Sequence, residues 1–195
     1  AHGKDQIPGA AVKAGGAVAA KLIHDCYADL FALGVSPEAL SEVVVTYILK
    51  HGRGDPPFGM ADHRPISCFS IPGKILLRAL RDHAKEAVGG SLASAQFAET
   101  ELSGAEMAVF VLTCVLEERA GMATYMAFVD VKGAYDAVWK NGLWVKLHAA
   151  GVRGRLLTLV RAIIGGTTTW VKVKGELADV MHTIVGVAQS SPFSG

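Results

Sequence analysis

Apolar and polar positions divide this chain into alternating helical and extended stretches. From Ala17 to Leu33 the apolar residues Leu22, Ile23, Cys26, Tyr27, Leu30 and Phe31 recur at helical spacing until Gly34, which predicts one helix. A shorter helix is expected near Gly9 to Ala14, and another begins at Ser36-Pro37-Glu38. Val43 to Leu49 is β-branched and aromatic, hence a strand, and it leads into the turn-rich loop Lys50-His51-Gly52-Arg53-Gly54-Asp55-Pro56-Pro57. Asp62 to Ser67 precedes a helix reaching about His83. Gly104 to Arg119 reads as an amphipathic core helix with Met107, Val111, Cys114 and Val115 on one side. Helices follow over Gly142 to Ala150 and Arg153 to Ile164, the second ended by Gly165-Gly166. Thr167 to Lys174 alternates as a strand, with Thr168, Trp170, Lys172 and Lys174 on one face, and Glu176 to Val185 turns and returns.

One stretch organises the rest. Tyr125 to Val129 is apolar or aromatic and runs straight into Asp130, as a buried strand does when it delivers an acid to the rim of a sheet. Asp130 is therefore a candidate functional carboxylate. Asp136 follows after a turn of small residues, Gly133 and Ala134, and the aromatic Tyr135, so the two acids need not share a face. The plainer alternative is that Asp130 caps the helix after it.

Composition permits this reading without suggesting it. With 195 residues the chain can bury a real core, and its mean hydropathy of +0.34 hints at surface meant for more protein. The longest strongly apolar run, Met107 to Leu116, is too short for a bilayer core, which needs roughly 20 residues. No apolar signal-peptide core stands in Ala1 to Ala20. Cys26, Cys68 and Cys114 are odd in number and far apart, which argues against a disulfide framework or a zinc site. They read as reduced, buried, small apolar residues.

Charge is unevenly placed although the net is only +1. From Asp130 to Lys174 eight basic residues (Lys132, Lys140, Lys146, Arg153, Arg155, Arg161, Lys172, Lys174) face two acids, whereas Glu86 to Glu118 holds six acids and no Lys or Arg. Such a basic segment suits a polyanion, because neutralised phosphates supply most non-specific nucleic-acid affinity. A solvated helix face is the alternative.

The segment Phe128-Val129-Asp130-Val131-Lys132-Gly133-Ala134-Tyr135-Asp136-Ala137-Val138-Trp139, with Asn141-Gly142-Leu143 and Lys146-Leu147 after it, resembles the first palm motif of reverse transcriptases from non-LTR (LINE-like) retroelements. Arg64-Pro65-Ile66-Ser67 resembles the family's "RPIS" fingers motif, and Gly186-Val187-Ala188-Gln189-Ser190-Ser191-Pro192 its "GVPQGSP" motif. The likeness runs from Lys4 to Ser194 in the family's order. It implies an α+β fold, a right-hand polymerase fragment with an antiparallel palm sheet and packed helices. Residues 1–121 would be a fingers-like region with N-terminal helices, and residues 122–195 a partial palm. The family reaction is RNA-directed DNA synthesis by two-metal nucleotidyl transfer. The resemblance makes Asp130 the catalytic, Mg²⁺-binding carboxylate, with the carbonyl of Val131 as a further ligand. Arg64, Tyr135 and Gln189 would bind nucleotide, Tyr135 lying under the sugar. RNA template and DNA primer are the implied partners, and the nucleus the implied location.

The chain departs from the family pattern in places. After Gln96-Phe97 the expected Gly and two arginines are replaced by Ala98, Glu99, Thr100, Glu101, Leu102 and Ser103, and an acid there repels phosphate. His51 stands where a second Lys is usual, and Ala188 and Ser190 flank Gln189 in place of Pro and Gly. No Asp-Asp pair occurs anywhere, so the 195 residues alone are not expected to polymerise DNA. A decayed or non-catalytic remnant, held as a structural or binding subunit by protein partners, is the second expectation.

Overall fold

The computed structural model describes residues 3–50, 59, 62–89, 93, 95–98, 104–173, 175–182, 185–189 and 191–193. His51 to Pro57, Glu99 to Ser103, Lys174, Ser190 and Ser194, all of which enter the sequence expectations, lie outside the described residues.

Three helices open the chain: α1 (Gly9–Ala14), α2 (Gly16–Leu33) and α3 (Glu38–Ser41). Gly34 ends α2 at φ 69° in the left-handed region, and its N–H reaches the Leu30 carbonyl. Strands β1 (Glu42–Leu49) and β2 (His63–Phe69) pair antiparallel, with Val45 opposite Ser67 and Tyr47 opposite Pro65. Helix α4 (Ile71–Val88) starts where Ser70 Oγ accepts the Gly73 N–H at 3.0 Å. It buries Gly73, Leu76, Leu77, Leu80 and Ala84, one face at helical spacing. Then come α5 (Ala105–Glu118), α6 (Lys140–Ala149) and α7 (Gly154–Val160), which opens into a π-helical turn at Arg161–Gly165. Strands β3 (Thr168–Val173) and β4 (Glu176–His182) form a further antiparallel pair.

The fold is α+β, and its four strands form one sheet in the order β2-β1-β3-β4. The sheet is mixed, which corrects the expectation of an antiparallel one: β1 runs parallel to β3. Helices α4 to α7 separate these two strands in sequence, and a connection of that length allows a parallel return. Val43, Val45 and Phe69 on one sheet face pack with Leu76, Leu77 and Leu80 of α4, Trp144 of α6, and Leu159, Val160, Ile163 and Ile164 of α7 and its π turn. Tyr27, Leu30 and Phe31 of α2 pack against this cluster from its margin.

Tyr27 also donates its hydroxyl to the Pro72 carbonyl at the start of α4. Burial pushes this phenol up to about 12 from the usual 10. An acid whose folded value is raised adds stability that is complete below pH 10 and is lost as pH climbs toward 12. Tyr27→Phe is expected to cost about 1 kcal/mol at neutral pH. It should also flatten the fall in stability between pH 10 and 12, as read by chemical denaturation across that range.

Three expectations fail on burial. Tyr125–Val129 forms no strand: Tyr125 is 94%, Phe128 83% and Val129 89% exposed. A strand needs a neighbour to bond its backbone, and no strand of the sheet pairs with this segment. Helix α5 forms as expected yet buries no residue, so it is no core helix among the described residues. Cys68 is buried, whereas Cys26 on α2 and Cys114 on α5 are exposed, because no described residue covers those helix faces.

Candidate functional site: a cleft between the sheet and the 130–136 loop

Side chains alternate along a strand, so odd-numbered residues of β1, β2 and β3 share one face. Near α4 that face holds the core residues Val43 and Phe69. Further along it carries Val45, Tyr47, Pro65, Ser67, Thr169 and Val171, which floor a cleft of about 950 Å³. The 130–136 loop and residues 185–189 form the opposite wall, and Lys50, His63 and Arg64 stand at one end.

The wall is held by backbone hydrogen bonds. Gly186 N–H donates to the Val138 carbonyl at 3.0 Å, and Val187 N–H to the Tyr135 carbonyl at 2.9 Å. Gly186 has φ 86°, and a Cβ there would lie 2.9 to 3.0 Å from the Asp136 O, the Asp136 Cα and the Tyr135 O. Only glycine fits both the backbone angle and the approach. On the other side Ser67 N–H, at the open edge of β2, donates to the Gln189 carbonyl at 3.3 Å. The 186–189 segment thus bridges the 130–136 loop and the sheet. Lys50 N–H bonds to the Asp62 carbonyl at 2.9 Å and closes the foot of the β1–β2 pair.

Asp130, Arg64 and Gln189, singled out in the sequence, meet on this cleft. Alternation groups Arg64 with Ile66 and Cys68, so its guanidinium serves the rim rather than the floor. Tyr135 lines an adjacent apolar cavity instead, and Val131, 63% exposed, does not line the cleft. Thr167, Val187 and Ala188 belong to both cavities. Lys50, His63, Ser67 and Tyr47 were not picked out as site residues. The period-two pattern of β2 was the signal for His63 and Ser67, once Pro65 is placed on the floor.

Of the eight basic residues counted from Asp130 to Lys174, Lys132 alone lines the cleft among the described residues. Lys140 is not a surface charge: it is 8% exposed, and its Nζ donates to the Gly165 carbonyl at the end of the π turn, at 3.3 Å. Burial holds its ammonium below the ordinary lysine value. The cleft wall therefore carries three cations (Lys50, Arg64, Lys132) and two carboxylates (Asp130, Asp136).

Hard divalent cations need several converging oxygens, and among the described residues no three His, Cys, Asp or Glu side chains converge in that way. Asp130 stands on a loop, and the residues before it are exposed. The cleft thus offers cations, two carboxylates and an aromatic floor residue, Tyr47. Compared with known proteins, no family model and no curated protein matches the chain.

Proposed function

We propose that this chain is the fingers and first palm half of a non-LTR-type reverse transcriptase domain, or a remnant of one, and that its cleft holds a polynucleotide backbone. The observation that carries this reading is the convergence of Arg64, Asp130 and Gln189 on one cleft from three distant parts of the chain. They belong to three separate motifs of the resemblance. Lys50, Arg64 and Lys132 attract phosphates, and Tyr47 on the floor offers a face on which a base stacks. Asp130 and Asp136 offset part of the positive charge and limit affinity, while the contacts of the three cations with phosphate make binding sensitive to salt.

The triple variant Lys50→Ala/Arg64→Ala/Lys132→Ala is expected to bind a primed RNA template at least about tenfold more weakly near 0.1 M salt. The slope of log affinity on log salt should fall by about 2, at roughly 0.7 per lost single-strand phosphate contact. Fluorescence anisotropy over a salt series measures both. Unchanged affinity and slope would remove the cleft from the account.

A second reading, a non-catalytic subunit covered by protein partners, is favoured by one observation. Phe110 on α5 is 62% exposed and Phe128 is 83% exposed, so a large apolar surface meets solvent.

A further inference from the structure

Beside the cleft lies a second cavity of about 360 Å³, open on one side, between the 133–138 turns, α6 and the residues Val187, Ala188, Ser191 and Phe193. Phe69, Leu143, Leu147, Ile164 and Phe193 make it almost wholly apolar. Two of its side-chain hydroxyls, those of Thr167 and Ser191, are already engaged, and Tyr135 carries the third. Thr167 Oγ1 donates toward the Ile163 and Ile164 carbonyls at 3.2 and 2.9 Å, and Ser191 Oγ accepts the Phe193 N–H at 3.2 Å. A buried water needs two to four polar partners, so such walls favour an apolar occupant over water.

We propose that this cavity binds a flat, apolar molecule of one or two fused aromatic rings, with at most one hydrogen-bond donor. Size sets the upper end of that class: an apolar cavity of about 150 Å³ accepts benzene, and this one has room for a bicyclic ring. Chemistry sets the rest. Phe69, Tyr135 and Phe193 present aromatic faces and edges, which favour stacked or edge-on rings. The lone pairs of Thr167 Oγ1 can accept one N–H or O–H from the ligand.

Indole, a bicycle with one N–H, is the probe. It is titrated into the whole chain while methyl resonances of Leu143, Leu147, Ile164 and Val187 are followed by NMR. Saturable shifts at those methyls are expected, with none at Val109 or Val129, which lie on exposed surface elsewhere. Ala134 is exposed on the cavity wall, so Ala134→Phe fills the space without displacing the core. Indole should bind that variant at least about tenfold more weakly, with the circular dichroism spectrum unchanged. Should Ala134→Phe not fold, Thr167→Val keeps the shape and removes the oxygen. It should weaken indole several-fold while leaving naphthalene unaffected. Absence of saturation up to the solubility of indole, equal shifts on the exposed methyls, or full binding by the folded Ala134→Phe protein would each overturn the proposal.

Discussion

Phe69→Ala is expected to cost about 3–5 kcal/mol, the range for removing a buried aromatic ring, and to lower Tm by roughly 6–20 °C in a chain of this size. Phe69 is 1% exposed, stands opposite Val43 in the sheet register, and also walls the apolar cavity. Its loss merges that cavity with new empty space, so the neighbours cannot close over it cheaply. Phe128→Ala is the matched control. The same atoms are removed from a ring 83% exposed, and the change should stay within about 0.5 kcal/mol. Denaturant melts of the two variants compare them directly. A costly Phe128→Ala would mean that the 125–129 segment is covered after all.

The second large effect belongs to Gly186. Gly186→Ala should cost about 2–4 kcal/mol, from a non-glycine residue at φ 86° and from a Cβ pressed against the backbone of residues 135 and 136. Those neighbours are backbone atoms, so no side chain can swing aside. Gly175, at φ 95° with nothing within 4 Å of its would-be Cβ, separates the two causes. Gly175→Ala should show the strain alone and cost less by about half. Hydrogen exchange adds a local readout, since the Gly186 and Val187 amides are bonded across to Val138 and Tyr135. In Gly186→Ala both should exchange faster, and polynucleotide affinity should fall with them because Gln189 loses its fixed relation to Asp130.

Local rules carried the sequence reading far in some elements. Helix α4 was legible from the resemblance to the fingers motif before it, although it runs five residues past the expected His83. The residues after it, Ala84-Lys85-Glu86-Ala87, are good helix formers, and no breaker stands before Gly89. The π turn at Arg161–Gly165 left no such trace, and it shortens the expected helix ending at Ile164. Burial was less legible than periodicity. Tyr125–Val129 and α5 have the composition of core elements, but an apolar pattern tells what a segment would bury and not whether a neighbour exists to bury it against.

The candidate site was half legible for a related reason. Arg64, Asp130 and Gln189 belong to motifs fixed in sequence, and the cleft unites them. His63, Ser67 and Tyr47 join it only through strand register, a long-range property. Tyr135 goes to the neighbouring cavity because the chain turns at 132–137, with Gly133 at φ 62°, before the ring is presented.

Where a polynucleotide lies on the protein tests the central claim most directly. A primed RNA template carrying 4-thiouridine, cross-linked by light and mapped by mass spectrometry, reports the residues in contact. Adducts are expected on peptides holding Tyr47, Lys50, Arg64, Lys132 or Gln189. Adducts confined to the exposed Arg155 and Arg161 of the α7 region, or to α2, would contradict it.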